Sequence, residues 1–410
     1  MAKKVSNSES SLDIFTLVSK VDNSAEILSE SKSAVIKDYI DTGSYILNAA
    51  ISGSLFKGII VPRITCIAGE RSAGKSYLSL SICRNAQKKG YTPIYLDSEN
   101  AIDIDFVKRL GCDPSNFIIK QVTTISETST FIANVCKEIE GVEESKRPKV
   151  LFVIDSLGNL TSDKELNDTL EANGKADMTK AKDVKALFRT NTTAMGKIGA
   201  SCVVVSHVYK TLDLYAKNVV SGGSGIAFAA SSTIMLSASK LDDKESDKEA
   251  EKRTGDYMKT GVMVTAKMDK SRFTIPQVVK FSIPFFKAPN PYIGLEKYLT
   301  WENSGIMRGK LLTQKEYDKL PESDKSTCQP MKDNSGNDCY AYPKLTSNKI
   351  VVKHLGEEVP ISEMFTPKVF TDELLHKLDE EVIRPLFELP TQFAEDDINE
   401  YTQIDNGNGE

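Results

Sequence analysis

The sequence predicts an α/β protein: a mostly parallel, twisted sheet covered by helices, with a short N-terminal arm before it and a smaller C-terminal lobe after it. Three observations lead there. Short apolar runs alternate with helical patterns from residue 35 to about 284. A glycine-rich signature sits between one such run and an amphipathic segment. The alternation stops at both ends, where the composition changes.

Residues 1–34 are rich in serine and charge and carry one short helix candidate, LDIFTLVSKV, so they read as an arm suited to oligomerisation. Across 35–289, the runs RITCIAG, PIYLDSE, KVLFVIDS, SCVVVSH, STIMLSA, GVMVTAK and QVVKFSI read as strands. Between the early ones lie helices such as KSYLSLSICRNAQKK, closed by Gly90, and SETSTFIANVCKEIEG, closed by Gly141. Residues 240–256 mix both signs of charge without an apolar face and read as an exposed excursion between two strands. Residues 290–387 read as a small α/β or helical lobe, and 388–410 as an acidic, disordered tail.

The chain has 410 residues, 40% of them hydrophobic, which suits a water-soluble globular protein. No run of about 18 apolar residues is present and the first residues lack a signal-peptide core, so a cytoplasmic protein without a membrane partner is expected. Seven cysteines without a C-x-x-C pair predict reduced thiols and no zinc site. The net charge of −5 argues at first against nucleic acid, but seven acids and no Lys or Arg fall within 388–410, and the remainder carries +2. Such a tail can compete with a phosphate backbone for a basic surface.

Gly69, Glu70, Arg71, Ser72, Ala73, Gly74, Lys75 and Ser76 spell G-x-x-x-x-G-K-[ST] after an apolar strand, and Tyr77 continues into a helix. Glycines let successive N–H groups face one anion, Lys75 reaches the outer phosphates of ATP, and the Ser76 hydroxyl reaches Mg²⁺. Asp155, at the end of KVLFVIDS, is the second candidate for holding Mg²⁺, through water. Asp97 and Glu99 end another strand, and Glu99 is the candidate for polarising an attacking water.

With these residues in place, 41–76 and 95–117 resemble the opening of the RecA-type strand-exchange ATPases. The later stretches DSLGNLTSDKE, ADMTKAKDVKALFRT, VVVSHVY and SGGSG are most similar to the UvsX-type recombinases of T-even phages within that family. The resemblance spans roughly 35–283 and implies a RecA-type P-loop ATPase core. It further implies a DNA-dependent ATPase that polymerises on single-stranded DNA and pairs it with homologous duplex DNA in recombination, repair and recombination-dependent replication. A loader or mediator and a single-strand-binding protein are implied partners, and the cytoplasm of a bacterial host the implied location.

By the same resemblance Glu99 activates water, Asp155 belongs to the magnesium motif and Phe106 stacks on adenine. Two DNA loops are implied, at about 157–177 and 209–225. In the second, Gly222, Gly223 and Gly225 would let N–H groups approach phosphates, Lys210 and Lys217 add charge, and Tyr209 and Tyr215 can stack on bases. Lys182, Lys185 and Arg189 share a face of the helix after the first loop and are candidate phosphate contacts. His207 stands where strand meets loop and would report the nucleotide state to DNA. Lys267 and Lys270, with Arg272, would act in trans on a neighbour's ATP. The arm, with a strand near 34–38, would dock on the adjacent subunit and build a helical filament. The T-even recombinases lack the second glycine of the phosphate loop, whereas this chain keeps Gly74. Two alternatives stand beside this reading: a ring-forming hexameric helicase or translocase with the same core, and a scaffold that binds ATP without hydrolysing it.

Overall fold

The computed structural model describes residues 14–21, 35–170, 179–210, 218–240, 261–285 and 288–390. Of the excursion expected at 240–256 all but Lys240, the Lys217 and Tyr215 positions, and all of the acidic tail beyond 390 lie outside the described residues. Contacts divide the chain into one unit of residues 1–37 and another of 38–410. In the first, helix α1 (Ile14–Val21) exposes Ile14, Leu17, Val18 and Val21, one apolar stripe at helical spacing.

The second unit opens with an antiparallel pair, β1 (Asp38–Ile40) and β2 (Ile59–Val61), around helix α2 (Tyr45–Ser52). The central sheet follows. Its strands are β3 (Ile64–Gly69), β4 (Tyr91–Asp97), β5 (Ile118–Gln121), β6 (Lys149–Asp155), β7 (Ser201–Lys210), β8 (Asn218–Val220), β9 (Ser232–Lys240), β10 (Gly261–Ser271) and β11 (Val278–Pro284). They run in the order β11-β10-β9-β3-β7-β6-β4-β5, with β8 paired to β7. The neighbours from β9 to β5 are parallel, and β8, β10 and β11 are attached antiparallel. Helices α3 (Lys75–Lys88), α4 (Ile104–Arg109), α5 (Ile125–Glu140), α6 (Asp163–Leu170), α7 (Lys180–Ile198) and α8 (Ser224–Ala229) occupy the connections.

The apolar runs of β3, β4 and β6 are continuous because these strands are covered on both faces. Alternation along the strands of the sheet sorts the residues into two cores: Ile67, Leu151, Val153 and Val203 face one way, and Cys66, Ala68, Phe152, Ile154 and Val204 the other. Burying each large aliphatic side chain contributes about 1.5–3 kcal/mol. All seven cysteines are free and buried. Among the described residues, no helix is long and apolar enough to cross a membrane.

The 290–387 stretch divides into two parts. Strands β12 (Ile306–Thr313), β13 (Gln329–Lys332), β14 (Asp338–Pro343), β15 (Lys349–Val352) and β16 (Glu357–Pro360) form an antiparallel sheet in the order β13-β14-β12-β15-β16. Helix α9 (Asp372–Leu378) and the turns after it return to the central domain, where Leu375, Leu378, Ile383 and Phe387 join the core that contains Ile46 and Leu47 of α2. Asp379 pins this return. Its buried carboxylate accepts from Leu55 N (2.6 Å), Ser54 Oγ (2.9 Å) and Arg384 Nε (3.0 Å). Asp379→Ala strands these donors and should cost about 3 kcal/mol, seen as a lower urea midpoint at unchanged slope. An unshifted midpoint would show the tether to be idle.

Candidate active site

Four strands of the parallel sheet deliver their C-terminal ends to one edge, where such folds place ligands. Register sets the neighbours: Gly69 lies opposite His207, and Asp97 opposite Asp155. The phosphate loop leaves β3 there and enters α3 through Gly74, whose φ of +83° only glycine adopts readily. A side chain at Gly74 would also collide with the Ile283 side chain, and one at Gly69 would meet the carbonyl of Leu236 at 2.6 Å.

No side chain caps α3, so its first N–H groups face the cavity without a side-chain partner. That cavity, of about 270 Å³, is lined by Arg71 through Tyr77 with Glu99, Asp155 and His207. Gly69 and Glu70 stand behind it and lend their carbonyls to the Lys75 ammonium, at 3.0 and 2.8 Å. Burial pushes the Lys75 ammonium down, against the charges of Asp155 and Glu99. Lone donors at a helix start beside a lysine tethered only to carbonyls fit a chain of phosphates.

Burial raises the Asp155 carboxyl above its ordinary range; hydrogen bonds from Tyr95 and Ser76 oppose this in part, and the charges of Glu99 and Asp97 add to it. Tyr95 donates to Asp155 Oδ2 at 2.5 Å. A buried carboxyl crowded by other acids, with the Ser76 hydroxyl on it, fits a divalent cation whose charge restores the ionised form. Asp97 serves the backbone instead. It accepts from the N–H groups of Glu99 and Ile102 and so shapes the turn that presents Glu99.

Glu99 Oε1 accepts from Ser156 Oγ at 2.5 Å and from His207 Nε2 at 2.9 Å. Burial works to raise this carboxyl, but Ser156, His207 and the Lys75 charge together outweigh it and hold it below its ordinary value. It therefore stays ionised at neutral pH and can take a proton.

A second cavity of about 740 Å³ shares Ser72, Gly74 and Tyr77 with the first and is lined by Phe106, Arg109 and Ile283. Its size and apolar lining suit a nucleobase. Phe106 is set there by α4, whose N-cap Asp103 accepts from the Phe106 N–H.

The remaining predicted residues lie outside these cavities. Lys182, Lys185 and Arg189 are exposed on one side of α7, whose other side buries Val184, Leu187 and Phe188. The second loop is narrower than its sequence suggests: β7 runs on to Lys210, and β8 returns beside it with Tyr209 opposite Val219. Tyr209 is 53% exposed on this hairpin. Gly222 (φ +102°) and Gly223 (φ +72°) turn the chain into α8. Gly225 lies within α8, and a side chain there would meet the Lys185 backbone at 2.8 Å, so this glycine is explained by helix packing. The first loop is not irregular throughout, since it contains α6. Lys267 lies on β10 opposite Met235 and is exposed. Lys270 donates to the carbonyls of Ala227 (2.7 Å) and Phe228 (3.3 Å) at the end of α8. The strand expected near 34–38 is β1, which pairs with β2 of its own chain.

Sequence reasoning did not single out three participants. Ser156 and Tyr95 act on Glu99 and Asp155, and Lys180 donates to the carbonyl of Gly158 at the base of the first loop. A serine after an aspartate or a tyrosine inside a strand carries no signal until β4 and β6 are set side by side.

A phosphate loop, a strand-end aspartate and a carboxylate on neighbouring parallel strands define a P-loop nucleotide-binding α/β protein. The RecA N-terminal domain family matches residues 19–280, and the chain belongs to that family. It is 28% identical over 272 residues to the "Recombination and repair protein" of Enterobacteria phage T4, covering 65% of each chain. To protein RecA of Nautilia profundicola it is 27% identical over 254 residues, 60% of this chain and 65% of that one. To protein RecA of Bifidobacterium breve it is 28% identical over 198 residues, 47% of each. The chain thus spans less than two thirds of the length of these relatives.

Proposed function

We propose that this protein is a DNA-dependent ATPase that forms a helical filament on single-stranded DNA and catalyses homologous pairing and strand exchange in recombination and repair. The observation that carries it is the 2.9 Å contact between His207 and Glu99. It ties the strand that bears a loop hairpin to the carboxylate beside the phosphate cavity. Kinship with the phage and bacterial proteins supports the same reading and a cytoplasmic location in a bacterial host.

ATP is the substrate, its phosphates on the α3 N-terminus and Lys75, its base beside Phe106. Ser76 and Asp155 would hold Mg²⁺, which supplies charge neutralisation at the phosphates. Glu99 takes one proton from water as the water oxygen bonds to the γ-phosphorus. The bond from that phosphorus to the β,γ-bridging oxygen breaks, and ADP leaves with the electron pair. His207 holds Glu99 from the DNA side, so a shift of β7 alters the base.

The exposed face of Lys182, Lys185 and Arg189 and the hairpin carrying Tyr209 supply charge and a stacking surface for single strands. The apolar stripe of α1 and the outer edge of β5, where Ile118 and Ile119 are half exposed, support head-to-tail assembly, with Lys267 and Arg272 serving a neighbour's site. A loader and a single-strand-binding protein would regulate assembly.

ATP hydrolysis with and without single-stranded DNA, for wild type beside His207→Ala, tests this. Wild type should be stimulated at least about tenfold, and the variant should bind ATP normally yet lose most of that stimulation. Stimulation that survives intact removes His207 from the coupling.

A further inference from the structure

The two segments read as DNA loops begin at the two donors that grip Glu99. Ser156 immediately precedes the turn Leu157–Asn159 that opens the first, and His207 lies in β7 below the hairpin of the second. Both reach the same oxygen, Oε1, at 2.5 and 2.9 Å. Ser156 is the N-cap of its turn, yet its hydroxyl makes no cap bond, the ordinary use of serine there. It is fully buried and aims at the carboxylate instead. Its backbone leaves it little freedom: Ser156 N donates to Ser98 Oγ (2.9 Å), and Ser98 Oγ donates to Ser156 O (2.8 Å).

The bases of the two loops also pack on each other. A side chain on Gly158 would come within 3.1 Å of Ser221 Oγ and 3.7 Å of the His207 ring, and one on Gly222 within 2.9 Å of Leu157. Ser221 N donates to His207 O at 2.7 Å. Movement at either base therefore disturbs both.

The geometry points to Ser156 as a positioning residue for Glu99, the first-loop counterpart of His207, so that DNA held by either loop re-aims one carboxylate. This rests on the ATPase reading above. A hydroxyl on Oε1 fixes the rotation of the carboxylate and leaves Oε2 to accept the proton of water. A bond from a buried hydroxyl to an ionised acceptor is strong and directional, so its loss lets the carboxylate turn.

The test is ATP hydrolysis, with and without single-stranded DNA, for wild type, Ser156→Ala, Glu99→Gln and the double variant. Ser156→Ala should lower the DNA-stimulated kcat about tenfold or more, with KM for ATP within about twofold of wild type. In the Glu99→Gln background it should cost nothing further, because its action runs through that carboxylate. A wild-type kcat in Ser156→Ala overturns the inference alone and leaves the ATPase reading standing. So do losses that multiply in the double variant, which assign Ser156 to the fold. A wild type that DNA does not stimulate overturns the functional reading and the inference with it.

Discussion

Glu99→Gln should bind ATP with nearly wild-type affinity and release phosphate about a thousandfold more slowly, with single-stranded DNA no longer accelerating it. The substitution keeps the shape of the side chain, and the amide oxygen can still accept from Ser156. It removes the basicity. In the native site the carboxyl is held below its ordinary value, because Ser156, His207 and Lys75 outweigh the effect of burial. It is therefore ionised at neutral pH with a lone pair free for a proton, which an amide cannot take. The lining of the phosphate cavity is otherwise unchanged, so affinity for ATP should survive. Single-turnover phosphate release beside binding of a fluorescent ATP analogue separates the two effects. A variant within a few-fold of wild type in phosphate release would remove Glu99 from the chemistry.

Lys75→Ala should fail one step earlier, with nucleotide affinity falling about a hundredfold. Lys75 is 7% exposed, and its ammonium donates to two carbonyls of its own loop, so incoming phosphates replace weak partners with strong ones. Without it, the buried carboxyl of Asp155 and the partly exposed one of Glu99 face the phosphates without a counter-charge from this position. Calorimetric titration with a non-hydrolysable ATP analogue gives the affinity. Unchanged binding would mean that the backbone N–H groups of the loop and of α3 suffice.

The parallel core was legible because β3, β4, β6 and β7 each need an unbroken apolar run to be buried on both faces, and such runs stand out against the helices between them. The phosphate loop was legible because its chemistry is local: eight consecutive residues carry it. The contacts that finish the site are not local. Ser156 and Glu99 are 57 residues apart, and Tyr95 and Asp155 are 60 apart. Only the β4–β6 register brings each pair together. The Asp379 tether to Ser54 spans 325 residues and leaves no trace in either segment. Short strands hid for a related reason. β8 has three residues, and β13, β15 and β16 have four each, too few for alternation to be distinguished from loop. Gly225 matched a phosphate-binding pattern by its neighbours, while the close approach of α8 to α7 explains the glycine.

Coupling between nucleotide and DNA is the centre of this account, and it is reciprocal: whatever factor ATP adds to DNA affinity, DNA adds to ATP affinity. The most direct measurement is the affinity of the wild-type protein for a fluorescent single-stranded oligonucleotide, at one salt concentration, with a non-hydrolysable ATP analogue and with ADP. Binding at least about tenfold tighter with the ATP analogue is the predicted result. Equal affinity in the two states would contradict it, because a nucleotide that does not discriminate between two conformations cannot shift the balance between them.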